Sequence, residues 1–233
     1  MFTVINRFLH FTKRFLTLSS SLLLAALLVI ILAIPLFPLS YHRILFSIFY
    51  TVIFVLSALS VQYAQKRIVY FSLVVIAVEW VAVILNMPLL FKISLPINFL
   101  FFLMIVGILI VQIAKAKNVT TLVLLESISC YLLIGISFSL VIGLIEAINP
   151  NSFNFQKYDS ITNLNTGYNI DYMYFAFINL TTTGFGDFLP LTPAAKSLSV
   201  LISITGQLYT AIIIAILVGK YLTKSSEKNP AEL

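Results

Sequence analysis

The stretch Thr181-Thr182-Thr183-Gly184-Phe185-Gly186-Asp187 gathers three hydroxyls, two alternate glycines and one acid between long apolar runs. Backbone at membrane depth must satisfy its own hydrogen bonds unless it is buried in protein or lines water. This stretch is poor helix. Glycine adopts backbone angles closed to other residues, so Gly184 and Gly186 allow successive carbonyls to turn toward one side. A row of carbonyls around a common axis can replace the hydration shell of a cation, and a threonine adds a hydroxyl at the inner end of that row. The chemistry on offer is the binding and passage of a dehydrated cation.

The elements that must position this stretch are membrane helices. Of the 233 residues, 61% are hydrophobic and only 9% are charged, and the mean hydropathy is +1.07. A soluble domain of this size needs more polar cover. The net charge of +6 is not that of a nucleic-acid binder, because the basic residues lie in short loops beside apolar runs and not in a stripe. Six runs approach or exceed the roughly 20 residues that cross a bilayer. They are Phe15–Ile34, Ile44–Tyr63, Ile68–Met87, Leu95–Ala114, Leu122–Ile145 and Ala194–Leu222. The fold class expected is an all-α membrane protein of six transmembrane helices with a re-entrant helix and a filter-like loop. Residues 1–117 form a four-span peripheral domain, residues 118–223 a pore-like domain and residues 224–233 a short tail.

Lysine and arginine placement sets the orientation. With the N-terminus inside, the inner side holds Arg7, Lys13, Arg14, Lys66, Arg67, Lys115, Lys117, Lys220, Lys224 and Lys228, and the outer side holds only Arg43, Lys92, Lys157 and Lys196. Both termini are then cytoplasmic and the protein is a multi-pass protein of the cell membrane. The first apolar run exceeds a signal-peptide core and lacks a clear small-x-small cleavage site, so it reads as a retained span. About ten residues follow the last span, which leaves no room there for a soluble ligand-binding domain. The Asn-rich loop from Ala147 to Ile170 reads as a solvated surface segment. The single Cys130 lies within an apolar run and reads as packing.

A short apolar segment, Asp171–Thr182, precedes the filter-like stretch. It is too short to span and reads as a re-entrant helix. Its partly negative C-terminal end would favour a cation at the pore centre, with Asp171 or Asn169 capping the outer N-terminus. The order of outer span, loop, short helix, Thr182-Thr183-Gly184-Phe185-Gly186-Asp187 and inner span resembles the potassium-channel pore module, whose filter is commonly T-V-G-Y-G-D. Pro190, Thr192 and a glycine in mid-span, Gly206, extend the likeness over Leu122–Leu222. The first four spans resemble six-span channels only in general outline. The resemblance implies that carbonyls of Thr182, Thr183, Gly184 and Phe185, with the Thr182 hydroxyl, bind potassium ions. It implies a homotetramer, because each chain supplies a quarter of the ring, with Asp187 at the outer mouth raising the local cation concentration. The permeant ion is then the ligand, and no cofactor, nucleic acid or catalytic residue is expected. Whether a separate regulatory subunit binds stays open.

The departures from the family pattern bear on selectivity. Phe185 replaces the usual tyrosine and lacks its hydroxyl, Thr183 replaces the usual valine, and Tyr174 and Phe175 stand where a tryptophan pair is common. Tyr174 retains a phenol that can reach Asp187. Ile178 stands where some members carry a glutamate behind the filter. Glu146, at the end of the fifth span, resembles a glutamate that supports the filter surroundings; it reads equally as a plain interfacial residue. The filter expected is more prone to inactivation or sodium leak, and a non-selective monovalent cation channel is the alternative reading. A transporter subunit is a weaker alternative, since related uptake systems string four filter-like segments in one chain and this chain has one. A membrane enzyme is weakest, as no nucleophile or metal cluster is evident.

On the last span, Gln207, Thr210, Ile214 and Val218 recur at intervals of three, four and four and so share a helix face. If that face lines the pore, Gln207 and Thr210 give a wet cavity and Ile214 and Val218 an apolar ring able to close by dewetting. The same stripe reads equally as packing, and Gly206 reads equally as a hinge or as a site of close helix approach. Leu95–Ala114 contains no lysine or arginine, so no charge run is present to sense voltage. Glu79 is an intramembrane acid and therefore a candidate for a gating or proton role. Glu126, at the start of the fifth span, is expected to be solvated.

Overall fold

The computed structural model describes residues 2–61, 65–85, 88–155 and 170–228. These contain seven α-helices and no named strand. They are α1 (Phe2–Leu32), α2 (Leu39–Ser60), α3 (Gln65–Leu85), α4 (Pro88–Lys115), α5 (Thr121–Ile148), α6 (Ile170–Leu180) and α7 (Pro193–Lys228), with a 3₁₀ turn at Ile34–Leu36 after α1. Five of them, α1, α3, α4, α5 and α7, are long and apolar enough to cross a membrane. With 22 residues, α2 is about 33 Å long, but its apolar run Ile44–Ser60 is shorter than those of the other five. The six-span expectation is thus met by length and hydropathy for five helices, whereas the apolar part of α2 is shorter than theirs. The second run stops at Ser60, because Val61 is extended; its expected end at Tyr63, and that of the third at Met87, lie outside the described residues.

Prolines punctuate the chain where helices begin. Pro88 and Pro193 occupy first helical positions, where the missing N–H would have no intrahelical acceptor. Thr192 caps α7, its hydroxyl oxygen accepting the Ala195 N–H at 3.3 Å. Pro96 lies inside α4, a position tolerated in membrane helices because neighbouring groups re-satisfy the freed carbonyl.

Consecutive helices pack in order from α1 to α5, and α1 also returns to α5. Helix α5 therefore touches α1 and α4 on one side and α6 and α7 on the other. The peripheral bundle is filled by aromatic rings, with Phe54 edge-on to Phe101 at 4.9 Å and stacked on Phe102 at 5.1 Å between centroids. Polar groups inside it are tied together across helices. The fully buried Glu79 of α3 accepts from Ser47 Oγ of α2 at 3.3 Å and from Asn98 Nδ2 of α4 at 3.2 Å. Ser47 and Asn98 are neutral donors on neighbouring helices, an arrangement that ties three helices together. Glu126 is not solvated as expected: it is buried, and Gln112 Nε2 of α4 donates to it at 3.2 Å. Cys130 is buried against the Val106 carbonyl, as a packing residue should be. At the far end of α7, the Lys220 ammonium donates to the Ile113 and Ala114 carbonyls that end α4, where a cation meets the negative end of the helix.

Candidate ion pathway

Helix α6 is 11 residues long, about 17 Å, and cannot cross a bilayer. Its buried side, Met173, Phe175, Ala176, Ile178 and Leu180, packs against α5 and α7. Two glycines admit it there. A Cβ on Gly135 of α5 would lie 2.4 Å from the Phe177 ring, and one on Gly206 of α7 would lie 1.9 Å from the Leu180 carbonyl oxygen. Gly206 is therefore a site of close approach, where α7 meets the backbone at the C-terminal end of α6. Tyr131 Oη of α5 donates to that same Leu180 carbonyl at 3.3 Å.

The chain then turns back on the helix it leaves. The Thr183 and Gly184 N–H groups both donate to the Ile178 carbonyl, at 2.8 and 3.1 Å, and the Thr182 N–H donates to Asn179 at 2.9 Å. Thr182, Gly184 and Gly186 have φ of 57°, 53° and 78°, whereas Thr183 and Phe185 are not among the positive-φ residues. Positive-φ residues thus alternate with the others, as they do where successive N–H groups form a nest, and the N–H groups of residues 182–184 are directed at the end of α6. The two glycines were legible as positive-φ positions. Thr182 was not, because threonine gives no local signal for the left-handed region.

Residues 181–187 are exposed along their whole length in the single chain. Thr181 Oγ1 and Thr183 Oγ1 lie 2.9 Å apart, and the Thr182 hydroxyl donates to the Thr181 carbonyl at 2.7 Å. From α7, Gln207 Nε2 donates to Thr182 Oγ1 at 3.2 Å. Thr210 instead bonds back to the Gly206 carbonyl of its own helix at 2.9 Å. Ile214 and Val218 lie on the same face further along α7 and are about half exposed. Exposure along α7 is not confined to that face, since Leu201, Ile204, Leu208 and Ile212 are also open. The buried face, Ala195, Leu198, Ile202, Gly206 and Ile213, is the one turned to α5 and α6.

Beyond Gly186 the loop is held by its outer neighbours. Tyr174 Oη donates to Asp187 Oδ2 at 2.8 Å, the bond that the sequence allowed. That hydrogen bond holds the Asp187 carboxyl below the usual carboxylate range. Burial, and secondarily the charge of Asp187, raises Asp171 in the first turn of α6. Asn169, the alternative cap, lies outside the described residues. Glu146 accepts the N–H groups of Asn151 and Phe153, at 3.1 and 2.8 Å. Phe153 in turn forms an antiparallel bridge with Pro190. Glu146 thus reaches the loop after Asp187 through one intervening segment.

That segment corrects the solvated-loop expectation. Ser152 and Phe153 are buried, Asn154 exchanges backbone and side-chain bonds with Leu189, and the Leu191 N–H donates to Ser152 at 2.8 Å. Phe155 lies 5.1 Å from both Tyr172 and Phe188, and Phe175 is edge-on to Phe153 at 5.1 Å. Tyr174 completes this aromatic cuff, 5.8 Å from Phe188. Phe153, Phe155 and Phe188 were missed as supports, because their contacts to α6 and across the loop join residues far apart in the chain and leave no local pattern.

A Gly206→Ala variant tests the close approach. The added methyl group must push α7 off the end of α6, at a cost of about 1–3 kcal/mol. Thermal unfolding in detergent should show that loss, whereas a variant as stable as the parent would return Gly206 to a bending role.

Residues 152–223 match a family model described as Ion channel. No curated protein and no solved structure matches the chain. The matched span runs from Ser152 through α6, the Thr181–Asp187 stretch and α7 to Thr223, so it is the C-terminal part of this multi-pass membrane protein that is similar to ion channels.

Proposed function

We propose that the protein is a potassium channel, in which four copies of Thr182-Thr183-Gly184-Phe185 converge on one axis and conduct K⁺ passively. The observation that carries this reading is the alternation of left-handed backbone at Thr182, Gly184 and Gly186, with the N–H groups gathered onto Ile178. A free row of carbonyls on the open side is what a dehydrated cation needs. The C-terminal end of α6 aims its partial negative charge at the base of this row. Fourfold assembly is supported by the exposure of the stretch and by α7, whose spanning window is only 17% buried within the chain. Gly186 and Asp187 then face the outside, the termini lie in the cytoplasm, and residues 1–117 form the peripheral domain around the 118–223 pore. The absence of lysine and arginine between Leu95 and Ala114 supports a channel insensitive to voltage.

One observation favours a second reading, a non-selective monovalent cation channel. Phe185 is 70% exposed in the chain and has no hydroxyl with which to anchor the filter to a neighbour. Rubidium uptake into vesicles holding the purified protein separates the two. The proposal expects uptake that sodium does not compete with and barium abolishes. Equal competition by sodium selects the second reading, and no uptake under any condition removes both.

The Tyr174–Asp187 bond sets an acid limit. The bond favours the charged carboxylate, so Tyr174→Phe should raise the Asp187 pKa toward its ordinary value. The carboxylates at the outer mouth would then be neutralised at a higher external pH. The conductance–pH curve of the variant should be displaced upward in pH, and a curve superimposed on that of the parent would deny Asp187 a place at the mouth.

Ile214 and Val218, open and apolar on the Gln207 face, are the proposed constriction. Ile214→Asn should raise the resting open probability, because a wetted ring no longer closes by expelling water. Unchanged resting activity in that variant and in Val218→Asn would place the gate elsewhere.

A further inference from the structure

We propose that Gln207 sets how tightly the innermost cation site holds its ion, by donating an amide hydrogen to the Thr182 hydroxyl that faces that site. The inference rests on the pore reading above and concerns a residue that the reading otherwise uses only as cavity lining.

A hydroxyl has one proton and two lone pairs. The Thr182 proton is engaged by the Thr181 carbonyl at 2.7 Å. Gln207 Nε2 lies 3.2 Å from the same Oγ1. Because the hydroxyl proton is already directed at Thr181, the end of the amide that can pair here is its N–H. One lone pair of Thr182 is thereby occupied, and one is left for an ion. The amide hydrogens also carry partial positive charge toward the place where the ion would rest. Both effects weaken cation binding at the base of the filter.

The register of this contact is fixed. Gly206, the preceding residue, touches the Leu180 carbonyl so closely that no side chain fits between, and Leu180 is two residues from Thr182. Gln207 and Thr182 are both exposed in the single chain, so the contact borders the open face and is not buried among helices. Thr182 itself has a φ of 57°, which turns its hydroxyl and carbonyl as a unit. Loosening the innermost site suits a permeation path, in which an ion must be bound firmly enough to enter and weakly enough to leave.

The test uses barium, a divalent ion close to potassium in size, whose affinity reports on an oxygen-lined site of this kind. Titration calorimetry on the detergent-purified full chain compares the parent, Gln207→Met, Thr182→Val and the double variant. Gln207→Leu serves as a second donor-free variant if the methionine form does not assemble. Removing the donor should tighten barium binding about fivefold, the equilibrium counterpart of one neutral hydrogen bond. In the Thr182→Val background the same removal should change nothing. A general loss of cavity polarity would have the opposite sign and weaken binding. Unchanged or weaker binding in the donor-free variants overturns the role of Gln207, as does an equal tightening without the Thr182 hydroxyl. If the parent still takes up rubidium in that case, the pore reading stands. A parent that binds no barium and passes no cation overturns both.

Discussion

One constraint organises this molecule: backbone amides at membrane depth need partners, and the partners chosen decide what the carbonyls can do. The N–H groups of Thr182, Thr183 and Gly184 are all taken up by the last carbonyls of α6. A helix end normally leaves those carbonyls without partners, and a loop at this depth normally leaves its N–H groups unpaired. Here each deficit answers the other. In the proposed channel, the carbonyls of the same residues are what would coordinate the cation.

The surrounding helices and loop hold that turn in place. From below, Gly206 lets α7 touch the α6 terminus, and Tyr131 donates to the same carbonyl. From above, Tyr174 clasps Asp187 and the Ser152–Phe155 segment clamps Phe188–Leu191 within a cuff of aromatic rings. Aromatic contacts of this kind add stabilisation beyond area burial, and a left-handed threonine persists only where its surroundings over-determine it. The peripheral helices reach the pore through α5, which packs on α1 and α4, and through Lys220, which closes the end of α4. Their own interior is held by hydrogen bonds to Glu79 and Glu126. Neutral side chains serve as donors for these buried carboxylates, so membrane-depth acids here act first as interhelical ties.

Most of the helices and the turn at Thr181–Asp187 were legible in the sequence because both are local. Apolar run length marks α1, α3, α4, α5 and α7, and the pair Gly184 and Gly186 announces positive φ wherever it occurs. The reach of Tyr174 to Asp187 was expected from the likeness to the potassium-channel pattern and from the phenol that Tyr174 keeps. Long-range features were not legible. The asparagine-rich composition of residues 149–154 hid the burial of Ser152 and Phe153, whose partners lie beyond the filter. The position of Glu126 near a helix start suggested solvent, whereas Gln112 on the preceding helix covers it. Gly206 is equally glycine whether a helix bends or a carbonyl comes close, and its nearness to Leu180 leaves no mark in the sequence.

The most direct test of the central claim is anomalous scattering from crystals of the assembled protein grown in rubidium. The account predicts a column of rubidium peaks on a shared fourfold axis, each ringed by the carbonyl oxygens of residues 182–185. An assembly whose axis carries no such peaks, or whose residues 182–185 turn their N–H groups to it, would contradict the account.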